Sequence, residues 1–230
     1  MPRLGIVTVG QAPRTDNTPQ IVAMLGDGVE ILELGALDGM TAEELKDMAP
    51  APGESRLATR LANGSEIIIS HYKTVPLLQK CITQLNQQGV DLILLLCTGH
   101  FPRFESQALV LKSQRIVDHA LEAVLGPERT LGIFVPLAEQ AQEMAANLKH
   151  ITPKVAVVNA SPYQDASHLK EAAKKMAAHK PDLVVLHCMG YNEEHRRIMA
   201  EVLNTPSLVA NSIVGRTMAE LLCGQAMSDQ

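Results

Sequence analysis

The 230-residue sequence predicts an α/β protein of two pseudo-symmetric lobes, each with a mainly parallel sheet flanked by helices. Short β-branched runs alternate with helical patterns along the chain, which is typical of parallel sheets. One pattern, Asp followed by an apolar run and Cys-x-Gly, occurs twice, as DLILLLCTG at 91–99 and DLVVLHCMG at 182–190. The other predicted strands recur in the same order in both halves. A repeat this long is not a solenoid unit, so it predicts two facing lobes.

The strands and helices follow from hydrophobic periodicity and from the residues that begin and end each run. Eight β-branched runs predict strands, four in each half, at 4–9, 29–34, 90–97, 108–111, 131–135, 154–159, 181–188 and 207–210. Six clear amphipathic patterns predict helices at 74–88, 113–125, 137–150, 165–178, 192–203 and 212–222. Several of these helices open with a residue able to cap them, as Asp165 and Asn192 do.

One segment of the first half breaks the alternation of strand and helix. Asn63-Gly64 stands between two runs of alternating apolar residues, which is the strongest short signal for a hairpin. We therefore expect a β-hairpin near 56–71, attached to the first lobe.

Composition and charge exclude several classes of function. The formal net charge is −5 and the chain has no block of Lys or Arg, so a nucleic-acid partner is not expected. An acidic surface also disfavours anionic membranes, and the longest apolar stretch, 90–97, is far shorter than the ~20 residues of a membrane span. The opening MPRLGIVTVG has an apolar run too short for a signal peptide, so we expect a cytoplasmic protein. Self-association into a homo-oligomer stays open.

The four cysteines differ in their surroundings. Cys97 and Cys188 stand where an apolar run stops, two residues before a Gly, so each is expected at a strand end where the backbone turns towards a helix. Backbone N–H groups and the helix dipole at such a turn can lower a thiol pKa from about 8.5 towards neutrality. A buried core cysteine is the alternative for either one alone, but two in symmetric positions favour a function. Cys81 and Cys223 are predicted to be structural, and all four to be reduced thiols.

Two symmetric thiols suit one kind of chemistry. Ligands of open α/β sheets bind outside the carboxyl ends of the strands, so both Cys-x-Gly turns are expected to face one crevice. One thiolate would remove a proton from a carbon while the other thiol delivers a proton to the opposite face. The hypothesis is a cofactor-independent racemase or isomerase of a small carboxylate with Cys97 and Cys188 as its acid/base pair. Two alternatives remain: a decarboxylase or cis–trans isomerase that uses one cysteine, and a non-catalytic small-molecule binding or regulatory protein.

Residues in the predicted turns are candidates for binding the substrate. The guanidinium of Arg14, in GQAPR after the first strand, could hold a carboxylate through two hydrogen bonds, and a solvated surface Arg is the alternative. Backbone N–H groups of Thr98, Gly99 and Gly190 could stabilise a carboxylate or the enolate formed on proton removal. For the glycines, turn formation is a compatible role. The other predicted substrate-binding residues of these turns are Gly10, Gln11 and Tyr191.

No metal and no cofactor are predicted. His71, His100 and His187 show no regular ligand spacing, and His187 and Cys188, adjacent on a strand, should point to opposite faces. The chain has no phosphate-binding loop, and LGDGVE at 25–30 is a helix end and turn, not a dinucleotide fingerprint.

The two-lobed repeat with a Cys at the end of each equivalent strand resembles the aspartate/glutamate/hydantoin racemase superfamily, which includes maleate isomerases and arylmalonate decarboxylases. Within it, LGIVTVGQAPRTD, DLILLLCTG and LHCMGYNEEHR are similar to the AroM family. The resemblance implies an Asp/Glu racemase-like fold with an active-site crevice between the lobes. It also implies that the chain crosses back to the first lobe from about Pro206, which gives lobes of 1–112 plus 206–230 and of 113–205.

The chain departs from the glutamate racemase pattern at two places. Those enzymes have an acidic Asp-Ser-Gly-type turn after the first strand and a His soon after the second cysteine. Here the first turn reads Val9-Gly10-Gln11, and Cys188 is followed by Met189-Gly190-Tyr191. These differences argue against an α-amino acid substrate.

Overall fold

The structure is a computed structural model that describes residues 1–223, and these form ten strands and eight α-helices. The strands are β1 (Arg3–Thr8), β2 (Glu30–Gly35), β3 (Arg56–Arg60), β4 (Glu66–Ser70), β5 (Leu92–Leu95), β6 (Leu109–Lys112), β7 (Leu131–Val135), β8 (Val155–Asn159), β9 (Leu183–Leu186) and β10 (Ser207–Val209). The helices are α1 (Thr18–Leu25), α2 (Ala42–Asp47), α3 (His71–Gln87), α4 (Ser113–Val124), α5 (Ala141–Leu148), α6 (Ala166–Ala177), α7 (Glu193–Ala200) and α8 (Ala210–Cys223). The predicted α/β class, with parallel sheets flanked by helices, is confirmed.

The chain divides into two compact units, and the first contains residues 1–114 together with those from Gly215 onward. Its sheet has the order β2-β1-β5-β6, and all three pairings are parallel. The central strand β5 is buried at every residue, because helices and loops cover both faces of a parallel sheet. Leu78, Ile82 and Leu85 of α3 pack in a core cluster with residues of β1 and β5.

The second unit contains residues 115–214 and repeats this arrangement. Its sheet has the order β8-β7-β9-β10, again entirely parallel. Strand β7 therefore corresponds to β1, β8 to β2, β9 to β5 and β10 to β6. Residues Leu131–Val135 of β7 are as completely buried as the middle of β1. The internal repeat that the sequence predicts is present as the same strand order in each sheet.

The C-terminal boundary differs from the expectation that the chain leaves the second lobe at about Pro206. Strand β10 pairs with β9, with Ser207 opposite Val184, so it belongs to the second sheet. The chain returns to the first unit only at Gly215, within α8. There a Cβ atom on residue 215 would lie 2.6 Å from Sδ of Met24, so glycine permits close packing on α1. Residues 224–230, part of the predicted first lobe, lie outside the described residues, as does the side chain of Cys223.

The predicted hairpin is confirmed as the antiparallel pair β3–β4, with Thr59 opposite Ile67. Its turn is closed by the Gly64 N–H, which donates to the Leu61 carbonyl at 2.9 Å. Gly64 has a φ of +88°, in the left-handed region that favours glycine. Asn63 supports the turn because its Oδ1 accepts the backbone N–H of Ser65 at 2.9 Å.

The buried face of this hairpin lies over the carboxyl ends of two strands of the first sheet. Leu57 and Thr59 of β3 are both buried. A Cβ atom on Gly99, after β5, would lie 3.2 Å from Leu57, and one on Gly10, after β1, would lie 2.4 Å from Thr59 Oγ1. The hairpin therefore covers the edge of the first sheet at which ligands of α/β proteins bind.

The N-terminal end of α3 lies three residues earlier than the pattern predicts. Ser70 caps the helix, since its hydroxyl accepts the backbone N–H of Lys73 at 3.3 Å. The helix consequently starts at His71, directly after β4, and leaves no loop between hairpin and helix. Within the part of the chain that the structure describes, no helix has both the length and the apolar character needed to cross a membrane.

Candidate functional site

Cys97 lies just beyond the end of β5. The Leu96 N–H donates to the Val7 carbonyl at 2.8 Å, which extends the pairing with β1 by one bond before the chain turns. The Gly99 N–H then points back and donates to Sγ of Cys97 at 3.4 Å. The spacing Cys-x-Gly thus places a backbone donor on the thiol.

Cys188 lies at the equivalent place in the second unit. The His187 N–H donates to the Phe134 carbonyl at 3.0 Å, as Leu96 does in the first unit. The Gly190 N–H donates to Sγ of Cys188 at 3.4 Å. Both cysteines are partly exposed. The two turns therefore share one local geometry, and in each a glycine N–H stabilises negative charge on the thiol sulfur.

The expected lowering of the thiol pKa is wrong for Cys97. Burial raises the pKa of Cys97 to about 11, although the Gly99 N–H and the positive charge of Arg14 both act to lower it. Desolvation prevails because a thiolate loses more hydration than a thiol when it is taken out of water. At neutral pH Cys97 is therefore a neutral thiol that carries a proton.

Arg14 is buried, and its guanidinium binds a carboxylate of its own chain through two hydrogen bonds. Its Nε and Nη2 donate to the carboxylate of Asp16 at 2.9 and 2.7 Å, and its Nη1 donates to Oγ1 of Thr8 at 3.0 Å. With 3% of its surface exposed, Arg14 is not the solvated surface residue of the alternative interpretation. Burial alone would raise the pKa of Asp16, but the hydrogen bonds and charge of Arg14 lower it. Arg14 is thus a fixed cation near Cys97.

Asp16 was not singled out in the sequence, and it is the residue that decides what Arg14 does. The signal that could have found it is its place in APRTD, two residues after Arg14, where a short acidic side chain can reach the guanidinium. The prediction that Arg14 binds a substrate carboxylate would require that carboxylate to share or replace Asp16.

Gly10 and Gln11 contact the β3–β4 hairpin and fix its position. The Gln11 side chain donates from Nε2 to the Leu37 carbonyl at 3.1 Å and accepts the Ala62 N–H on Oε1 at 2.9 Å. The Gln11 N–H donates to the Arg60 carbonyl at 3.2 Å. A Cβ atom on Gly10 would lie 2.4 Å from that same carbonyl oxygen. Both residues thus have structural contacts that account for them without a substrate.

The N–H groups of Gly99 and Gly190 donate to the thiols, so in the structure they stabilise the sulfur atoms. Their part in binding a substrate oxygen stays a prediction. Close packing also requires glycine at residue 190, because a Cβ atom there would lie 2.7 Å from Cγ of Pro162. Thr98, which is buried, stands next to Cys97 in the same turn, and its role in substrate binding stays a prediction.

Tyr191 belongs to the core of the second unit. It has no exposed surface, and its hydroxyl donates to the Ala160 carbonyl. Its ring meets the ring of His195 edge-on, with the centroids 5.6 Å apart. These core contacts account for Tyr191 without a substrate, and its role in substrate binding stays a prediction.

The histidines named above are used in hydrogen bonds to the protein. His187 is buried, with Nε2 3.1 Å from Oδ1 of Asp118. His71 Nε2 lies 2.7 Å from the His100 carbonyl oxygen. Among residues 1–223 no three or more His, Cys, Asp or Glu side chains are grouped so that they could hold a metal ion.

The fold is that of the aspartate/glutamate racemase-like proteins. Glutamate racemase from Francisella tularensis, solved with D-glutamate, matches with a TM-score of 0.59 at 12% identity over 98% of this chain and 82% of that one. Maleate isomerase from Pseudomonas putida matches with a TM-score of 0.58 at 11% identity, over 96% of this chain and 93% of that one. Arylmalonate decarboxylase matches with a TM-score of 0.57 at 14% identity, over 96% and 92%.

The sequence comparisons give the family. No protein of curated function matches the chain significantly in sequence. The family model described as AroM protein matches residues 4–222, which is nearly the whole chain. By this match, the chain belongs to the AroM family.

Proposed function

We propose that the protein is a cofactor-independent racemase or isomerase of a small carboxylate, in which Cys97 and Cys188 are the acid/base pair. The observation that carries this proposal is the shared geometry of the two Cys-x-Gly turns, each with a glycine N–H 3.4 Å from the sulfur. The fold adds support, because the proteins that share it include a glutamate racemase and a maleate isomerase. The proposed location is the cytoplasm, on the grounds given by the sequence.

The proposed chemistry divides a proton transfer between two sulfurs. One thiolate takes the proton from the carbon next to the carboxylate, and the resulting enolate takes a proton from the other thiol on its opposite face. The hydrogen bond from the glycine N–H to each sulfur strengthens as that sulfur gains negative charge. For the reverse reaction the two sulfurs exchange roles, and the net reaction consumes no proton and needs no redox partner.

The resting protonation state assigns the first roles. Because burial raises the pKa of Cys97 to about 11, Cys97 holds its proton in the free protein. In this proposal Cys97 is the donor and the thiolate role belongs to Cys188. For Cys97 to act as the base in the other direction, bound substrate must bring its pKa down towards working pH.

The same observation favours a second candidate, in which Cys97 alone delivers a proton. A decarboxylase needs only a donor to protonate the carbanion that remains after carbon dioxide leaves, and a neutral thiol is suited to that step. The fold is shared with an arylmalonate decarboxylase. In this reading Cys188 assists binding, and one-directional chemistry replaces inversion.

The test starts from a thermal-shift screen with small mono- and dicarboxylates, since a bound ligand stabilises the folded state. Carboxylates that raise the melting temperature are then incubated with the protein in deuterated water and followed by NMR. We expect exchange or inversion at the carbon next to the carboxylate. Ligand binding with no exchange, no inversion and no decarboxylation would instead indicate the binding protein.

Serine variants of the cysteines separate the two mechanisms, because a hydroxyl is too weak an acid or base at neutral pH. In the two-base mechanism Cys97→Ser and Cys188→Ser both abolish interconversion and retain any solvent exchange for opposite enantiomers. In the single-cysteine mechanism only Cys97→Ser abolishes turnover. Cys81→Ser is the control, since Cys81 is buried in the first unit and donates to the Gly35 carbonyl at 3.6 Å. Turnover at the parent rate in both Cys97→Ser and Cys188→Ser would contradict the proposal.

A further inference from the structure

One residue near the end of the edge strand of each sheet donates to the loop after the cysteine. These residues are Lys112, the last residue of β6, and Asn211, which stands in α8 two residues after β10. They are not equivalent positions, because Leu95 of β5 lies opposite Lys112 whereas its counterpart in β9, Leu186, lies opposite Val209. The two residues donate to different carbonyls of those loops.

Asn211 contacts the turn of Cys188 directly. Its Nδ2 donates to the Met189 carbonyl at 3.4 Å, and the residue has no exposed surface. The Met189 carbonyl and the Gly190 N–H belong to one peptide group, which is planar. The orientation of that carbonyl therefore fixes the direction of the N–H that donates to Sγ of Cys188.

The buried amide of Asn211 is poorly explained by packing alone. Within residues 1–223 its Oδ1 is buried and finds no hydrogen-bond donor. A buried carbonyl oxygen without a donor destabilises the folded state, whereas leucine would fill a similar volume without that cost. Such groups call for an explanation other than stability. The contact of Nδ2 with the Met189–Gly190 peptide group provides one.

Lys112 contacts the loop after Cys97 at a different place. Its Nζ donates to the carbonyls of Phe101 and Pro102 at 2.9 and 2.7 Å. Neither carbonyl belongs to the Thr98–Gly99 peptide group, whose N–H donates to Cys97. Through these two bonds Lys112 anchors the loop that follows the Cys-x-Gly turn of Cys97.

We propose that Asn211 is a positioning residue for Cys188, which holds the Met189–Gly190 peptide group so that its N–H donates to the sulfur. This rests on the proposed role of Cys188 as an acid/base group. Without Asn211 the peptide group loses the contact that orients its carbonyl, and the hydrogen bond from its N–H to the thiolate of Cys188 weakens. The thiol then keeps its proton to higher pH and reacts more slowly as a nucleophile.

The experiment follows alkylation of each cysteine by iodoacetamide from pH 6 to pH 10, by mass spectrometry of the cysteine peptides, alongside thermal unfolding. The variants are Asn211→Leu and Asn211→Ala, with Lys112→Met, which removes the anchor of the loop after Cys97, as the control. We expect Asn211→Leu to be as stable as the parent or more so. Its Cys188 should nevertheless react about tenfold more slowly at pH 7, with a pH profile shifted upward by about one unit, while Cys97 is unchanged.

Asn211→Ala should show the same slowing at Cys188, so the result does not depend on how leucine packs. In Lys112→Met the alkylation profile of Cys188 should be that of the parent. An unchanged Cys188 profile in both Asn211 variants would overturn the proposal, as would equal slowing at Cys97 and Cys188. The proposed function is judged separately by the serine variants, because alkylation requires no substrate.

Discussion

At the scale of single residues, the balance around Cys97 decides what this sulfur can do. Burial favours the neutral thiol, while the Gly99 N–H and the Arg14 charge favour the thiolate, and burial prevails. Arg14 is itself held by Asp16, which partly cancels its charge at a distance. The protonation of Cys97 is therefore adjustable through the Arg14–Asp16 pair, without any change at the cysteine.

Substitutions in this pair should move the pKa of Cys97 in opposite directions. Arg14→Met removes a cation and should raise the pKa above about 11, whereas Asp16→Asn leaves the cation less balanced and should lower it. Because alkylation requires the thiolate, its rate at pH 8 should fall in the first variant and rise in the second. The pH dependence of Cys97 alkylation, measured by mass spectrometry, checks both.

Both substitutions break a largely buried ion pair, so both should also lower the free energy of unfolding, by about 3–5 kcal/mol for Asp16→Asn, which leaves the more buried Arg14 cation without its carboxylate. General loosening of the structure would speed alkylation in both variants. A rate that changes in the same direction in both would therefore show that the pair does not act on Cys97 through its charge.

How well single residues could be predicted depended on whether their partners are close in sequence. The recurring Cys-x-Gly pattern predicted that Cys97 and Cys188 stand at strand ends, because an apolar run and a following glycine define a strand end locally. Arg14 was placed in the correct turn, but its partner Asp16 was not foreseen. Tyr191 was assigned to the site because it follows Gly190, and its direction depends on a core packed from distant segments.

At the scale of elements, the hairpin β3–β4 is seated by contacts that leave no room for a side chain at residue 10. A Cβ atom on Gly10 would meet the Arg60 carbonyl at 2.4 Å, and a backbone group cannot move aside as a flexible side chain can. Gln11 adds hydrogen bonds on either side of this contact. The position of the hairpin thus depends on the turn after β1.

We expect Gly10→Ala to lower the free energy of unfolding by about 1–3 kcal/mol through overpacking, and to loosen the hairpin. Thermal unfolding measures the first effect, and proteolysis at the turn around Asn63 measures the second. Gly28→Ala is the control, because a Cβ atom there would meet nothing within 4 Å. Equal stability of the two variants would show that the hairpin accommodates residue 10 by moving.

At the scale of the whole molecule, the internal repeat was the most informative signal in the sequence. It gave the strands of both sheets and their correspondence, and it matched ALVLKS with SLVANS. That match alone assigns β10 to the second sheet, because β6, its counterpart, belongs to the first sheet. The boundary at Pro206 came from the family resemblance instead and is too early. A boundary inside α8 has no local signal, because the helix continues across it.

The return of the chain at Gly215 predicts the effect of a truncation. A chain ending at Val214 loses the part of α8 that packs on Ile21 and Met24, so it should expose the apolar side of α1. Hydrogen exchange should quicken in α1, while α6, which packs in the second unit, keeps its protection. Protection of α1 at the parent level would show that the C-terminal segment adds nothing to the first unit.

The hydrogen bond on each sulfur comes from its own turn, and this has an evolutionary consequence. Neither Cys-x-Gly turn requires the other in order to form, so a mutation that removes one thiol leaves the remaining turn as it was. A cysteine codon becomes a serine codon by one nucleotide change. One mutational step can therefore convert a site with two sulfurs into a site with one, and the same step in reverse restores the pair.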